Sequence, residues 1–106
     1  VMGGTPGMAL DAAAIALKNL MGLICDPIAG LVESPCSKRN TVGTVNALIA
    51  AEMALSGINS IIPFDEVITT MDHVGKMMPC SLRETAQGGI AITPTGLKIK
   101  KEIFKK

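Results

Sequence analysis

The chain has no tryptophan and no tyrosine, and only two phenylalanines in 106 residues. Its bulk therefore comes from Ala, Ile, Leu, Val and seven methionines, small side chains that favour close helix packing. It has no excess charge of either sign: ten Lys and Arg against nine Asp and Glu leave a net charge of +1, which gives no electrostatic argument for nucleic acid or an anionic membrane. It has no apolar run of the roughly 20 residues that a bilayer span needs, because Asp11, Lys18 and Asn19 interrupt the longest one. A basic start followed by a short apolar core and a small-residue cleavage site is also missing. Three cysteines, an odd number, argue against the closed disulfide framework of a small secreted domain and fit a reduced, cytoplasmic setting.

What is present is apolar and helical. Hydrophobic residues make up 48% of the chain and mean hydropathy is +0.43. A single domain of this length buries only about two thirds of its unfolded surface. Thr5-Pro6 reads as an N-cap and first helical residue, and Met8 to Leu23 carries apolar residues on nearly every face, as a buried helix does. A second helix is expected from about Thr41 to Ser56, with Gly57 as its stop. A third runs from about Phe64 to Met78, with Asp65 and Glu66 in its first turn and Pro79 ending it. Ser81 and Glu84 have the spacing of a capping box, Gly88-Gly89 breaks any helix begun there, and Thr93-Pro94 opens a last helix reaching about Phe104. No run alternates as a strand does, though Ile90 to Ile92 fits an extended segment. The expected fold is all-α: a compact helical domain of about four helices with Pro- and Gly-rich connectors, part of a larger helical domain. The start at Val1-Met2-Gly3-Gly4 reads as the middle of a longer protein, and two helices needing burial imply a covering partner or an oligomer. The five lysines from Lys98 to Lys106 read as a solvated helix face.

The segment Cys25-Asp26-Pro27-Ile28-Ala29-Gly30-Leu31-Val32-Glu33-Ser34-Pro35-Cys36-Ser37-Lys38-Arg39-Asn40 concentrates the chemistry. Pro27, Gly30 and Pro35 make it a connector in which two thiols can turn to a common point. One reading makes Cys25 and Cys36 small buried hydrophobes. Their spacing matches no zinc pattern, where paired ligands lie about two to four residues apart, and His73 is a poor complement on a distant helix. Iron–sulfur ligands tolerate wider spacing, and Lys38 and Arg39 beside a thiol would favour the thiolate and could hold an anionic substrate.

The same segment, with Ser-Leu-Arg-Glu-Thr-Ala-Gln-Gly-Gly-Ile-Ala at 81–91 and Thr-Pro-Thr-Gly at 93–96, resembles the alpha chain of the iron–sulfur-dependent L-serine dehydratases. The likeness covers essentially the whole chain, so residues 1–106 would be the C-terminal, cluster-binding portion of that alpha chain. The resemblance implies an L-serine ammonia-lyase that makes pyruvate and ammonia, in amino-acid degradation and gluconeogenesis, without pyridoxal phosphate. It implies a 4Fe–4S cluster held by three cysteines, with the open iron as Lewis acid; Cys25 and Cys36 would be two of the ligands and the third would lie upstream. The partners implied are L-serine, the remainder of the alpha chain and a beta chain or domain, in an oligomer; neither nucleic acid nor a membrane is expected. By the same likeness Lys38, Arg39 and Asn40 follow the second ligand, Arg39 and Asn40 orienting substrate or cluster, while Asn40 also suits a helix N-cap. Arg83, Glu84 and Thr85 match the family's Arg-Glu-Thr and could brace the site. Cys80 stands where the family carries Ser or Ala. No catalytic base is named, and the isolated chain is expected to be inactive. Two alternatives stand beside this reading: a helical assembly module with packing cysteines, and a thiol redox or metal sensor.

Overall fold

Threonine followed by proline opens the first and last helices alike. In α1 (Pro6–Asn19) Thr5 Oγ1 accepts a hydrogen bond from Met8 N at 3.2 Å, and in α4 (Pro94–Ile103) Thr93 Oγ1 accepts one from Gly96 N at 3.1 Å. Each cap satisfies an amide that the helix itself leaves unpaired. Between them lie α2 (Ser34–Leu55) and α3 (Phe64–Met77), and three short 3₁₀ turns at Ile28–Gly30, Cys80–Leu82 and Gly89–Ile92. These assignments come from a computed structural model that describes residues 2–31 and 34–105, less the side chains of Ser34, Pro35 and Cys36. The fold is all-α: among the described residues the strand-like pairing is a single isolated parallel bridge between Cys25 and Arg83. No described helix is long and apolar enough to cross a membrane.

Several boundaries differ from the sequence expectation. α1 ends at Asn19 rather than Leu23, and the chain turns at Gly22, whose φ of +87° is open to a residue without Cβ. α2 begins at Ser34, seven residues before Thr41, so the last seven of the sixteen residues of the expected connector are helix. Pro35 does not prevent this, because the first turn of a helix makes no use of the amide that proline lacks. Asn40 is therefore inside α2 and not its N-cap; its carbonyl accepts from Thr44 Oγ1 at 3.0 Å. Ser81 and Glu84 form no capping box, since Cys80–Leu82 is a 3₁₀ turn and Glu84 has φ +67°. Ile90 to Ile92 lies in a 3₁₀ turn rather than an extended segment. The stop at Gly57 is as expected: with φ +89° it donates to Ala54 O at 3.0 Å, and Ile58 N donates to Met53 O at 3.0 Å, the paired bonds of a Schellman motif.

The chain divides into two compact units, Val1–Gly22 with Asn40–Lys76, and Leu23–Arg39 with Met77–Lys106. In the first, small residues form the core. Ala14 and Ala50 are fully buried, and Ala54 and Val67 nearly so. Asn46 fixes α2 on α1, its Nδ2 donating to Ala16 O at 2.9 Å and its Oδ1 accepting from Asn19 Nδ2 at 2.9 Å. Asp11 Oδ1 accepts from Ser60 N at 3.1 Å and ties the segment before α3 to α1. Leu10 of α1 and Val42, Val45, Leu48 and Ile49 of α2 remain exposed. Among the described residues these helices are thus not buried on every face.

In the second unit α4 packs against the turns at Ile28–Gly30 and Gly89–Ile92. The approach is backbone on backbone. A Cβ at Gly96 would collide with Ile90 O and lie 3.0 Å from Ala91 O.

Candidate functional site

The second unit holds Cys25 through its main chain. Cys25 N donates to Leu82 O at 2.9 Å, and Cys25 O accepts from Glu84 N at 2.7 Å. The 3₁₀ turn that presents Leu82 is closed by Leu82 N to Pro79 O at 2.9 Å, and Thr85 Oγ1 donates to Cys80 O at 2.7 Å. One residue before Cys25, the carbonyl of Ile24 accepts from Arg39 Nη1. One residue after it, Asp26 is 6% exposed, and its Oδ2 accepts from Ile90 N at 2.7 Å.

The backbone here departs from common conformations. Ala29 (φ 56°), Glu84 (φ 67°) and Ala86 (φ 56°) are left-handed without being glycine, at a cost of about 1–2 kcal/mol each. Gly89, with φ +61°, also makes room: a Cβ there would overlap the Asp26 carboxylate, 2.6 Å from its Cβ and 2.7 Å from its Cγ. Strain of this kind persists only where surrounding contacts over-determine the chain. The contacts that do so are the bonds between residues 24–26 and residues 39 and 82–90.

Of the residues singled out by sequence, Cys25, Arg39, Arg83, Glu84 and Thr85 come together in this unit. Cys25 is half-buried. The Arg39 guanidinium donates to the main chain at Ile24 O, while Arg83 pairs with Cys25 by the bridge and leaves its own side chain exposed. Glu84 contributes its amide, and its side chain is exposed. Lys38 is an exposed residue early in α2. Asn40 falls in the first unit. The side chain of Cys36 lies outside the described residues. Cys80 is exposed, and His73 is exposed on α3. The shifted acid is elsewhere: Asp72 on α3 is held below the usual carboxylate range by a hydrogen bond from Lys76 Nζ at 2.8 Å and by that ammonium's charge. By sequence Asp26 stands out only as a polar neighbour of Cys25, and its burial is not foreseen. The available signal was the pair Gly88-Gly89, whose second member leaves space for a distant group.

Among the described residues the donors fit an iron–sulfur cluster in kind and fall short in number. Thiolate sulfur is what such a cluster takes. Among the described residues no group of three His, Cys, Asp or Glu converges to hold a metal ion.

The family model described as "Serine dehydratase alpha chain" matches residues 1–91. The chain is 61% identical over 102 residues to the "Probable L-serine dehydratase, alpha chain" of Bacillus subtilis, covering 96% of this chain and 34% of that protein. It is 56% identical over 102 residues to the protein of the same name from Latilactobacillus sakei, covering 96% and 49%. With the "L-serine dehydratase, alpha chain" of Peptoniphilus asaccharolyticus it shares 50% identity over 105 residues, covering 99% and 36%. This chain therefore spans between a third and a half of the length of these relatives. No solved structure matches it significantly. With a family match over most of its length and the Cys25 and Arg83–Thr85 motifs folded into one unit, the chain belongs to the serine dehydratase alpha chain family.

Proposed function

We propose that this chain is the cluster-binding portion of an L-serine dehydratase that converts L-serine to pyruvate and ammonia. In that reaction the Cα–H and Cβ–O bonds of serine break, water leaves, and the resulting enamine tautomerises to an imine that water hydrolyses. A bound 4Fe–4S cluster would supply Lewis acidity for departure of the hydroxyl. The chain's own part is to hold and orient. Cys25 and Cys36 would donate two thiolates, and a third would come from the remainder of the alpha chain. Arg39, the carbonyl of Leu82 and the amide of Glu84 fix the main chain on either side of Cys25, so its thiolate is presented in one direction. Lys38 and Arg83, both exposed, would be available to the serine carboxylate, and Thr85 steadies the turn carrying Cys80. The apolar faces of α1 and α2 left uncovered here would be covered by the rest of the alpha chain, a beta chain or domain, or another copy. The expected setting is the cytoplasm.

The observation that carries this reading is the fixing of the Cys25 main chain by residues 82–84, which joins the two separated family motifs at one cysteine. The test is iron and sulfide analysis with anaerobic absorption spectra of the entire alpha chain and of its Cys25→Ser and Cys36→Ser variants, alongside serine-dependent pyruvate formation. Iron, sulfide and activity are expected together in the parent chain and lost in both variants. Variants that keep full activity would return these cysteines to packing. An alpha chain that dehydrates serine with no iron would defeat the cluster reading.

A further inference from the structure

Asp26 is buried, acidic and adjacent to a thiol, yet the proposed reaction gives it nothing to do. Taking a carboxylate out of water is costly unless a donor replaces the lost hydration. The donor is Ile90 N, 64 residues along the chain, and Gly89 has no Cβ where the carboxylate lies. Together with the bonds from Cys25 N to Leu82 O and from Glu84 N to Cys25 O, this contact ties two consecutive residues to one distant segment at three points. Bonds on both sides of Cys25 fix its φ and ψ, and these set the direction of its Cα–Cβ bond. The two main-chain bonds use no side-chain atom, so they can persist through substitutions other than proline. The Asp26 carboxylate is the side-chain member of the set.

We propose that Asp26 is a positioning residue for the Cys25 thiolate, its carboxylate clamping the Gly89–Ile90 segment against the Cys25 segment so that the sulfur is presented ready to bind. The proposal rests on the reading of Cys25 as a cluster ligand. A ligand held loosely by its supports binds metal about tenfold or more weakly.

The experiment uses the entire alpha chain with Asp26→Ala, Asp26→Asn and Gly89→Ala. In the iron-free protein, the rate of iodoacetamide alkylation at Cys25 is measured by mass spectrometry, with exposed Cys80 as the internal standard. After anaerobic reconstitution, iron retention against a chelator is measured. Asp26→Ala should raise the Cys25 rate relative to Cys80 by about fivefold, the factor given by loss of an ordinary hydrogen bond, and should cut iron retention by about tenfold. Asp26→Asn keeps an acceptor for Ile90 N and should stay near the parent in both. Gly89→Ala attacks the same contact from the other side and should behave as Asp26→Ala does; it decides alone if Asp26→Ala does not fold. A Cys25 rate unchanged in both disrupting variants, or raised only in proportion to the unfolded fraction seen by melting, overturns the proposal. A parent chain that takes up no iron defeats the cluster reading, while the alkylation rates still judge Asp26.

Discussion

The two units of this chain are held together by different means. The first is built from helices that meet through alanines: Ala14, Ala50 and Ala54 let backbones approach, and Asn46 locks the register of α2 on α1. The second has little regular structure besides α4 and the start of α2, and it depends on hydrogen bonds between segments far apart in sequence. Close helix packing tolerates adjustment, because a side chain at its edge can move. A backbone-on-backbone contact does not. That contrast suits the work proposed for the second unit, holding a thiol still.

Matched glycine substitutions sharpen the comparison most. In the second unit Gly96→Ala drives a methyl into Ile90 O and against Ala91 O, which only a backbone shift relieves; a loss of about 3 kcal/mol is expected in chemical denaturation. In the first unit Gly4→Ala meets the end of the Leu55 side chain at 3.1 Å, which can swing aside, and should change stability by less than about 0.5 kcal/mol. Equal losses at the two sites would break the contrast.

Next in size is Asn46→Ala. It removes the donor to Ala16 O and the acceptor for Asn19, and should cost about 1–2 kcal/mol. A wild-type denaturation midpoint would show that alanine packing alone sets the α1–α2 register.

The smallest effect is expected at Asp72. Its folded pKa is lowered, so whatever stability it contributes is present above its unfolded value of about 4 and is lost as pH falls through the folded value. The pair with Lys76 is exposed and one helical turn apart, so Asp72→Asn should leave the melting temperature unchanged at neutral pH. A clear drop would mean that α3 relies on this pair.

Much of the helical layout was legible because helix ends are marked locally. Thr5-Pro6, Thr93-Pro94, Gly57 and the acidic first turn of α3 act over three or four residues and needed no knowledge of the rest of the chain. The errors came where a local signal had two outcomes. Pro35 can break a helix or sit in its first turn, and Glu84 can close a capping box or take a left-handed turn; residue type alone does not choose between the two. Of the site, Cys25 and Arg83–Thr85 could be singled out as motifs, while the side chain of Cys36 lies outside the described residues.

The sequence by itself determined an all-α chain, the caps at Thr5, Gly57 and Thr93 and the family, because residue type and short spacing encode these directly. Only the tertiary structure decided that α2 begins at Ser34, that Arg39 serves the main chain at Ile24, and that Asp26 is buried against Gly89 and Ile90. Those outcomes depend on hydrogen bonds and steric fit between segments as many as 64 residues apart, and no periodicity along a chain records which distant amide a carboxylate will find.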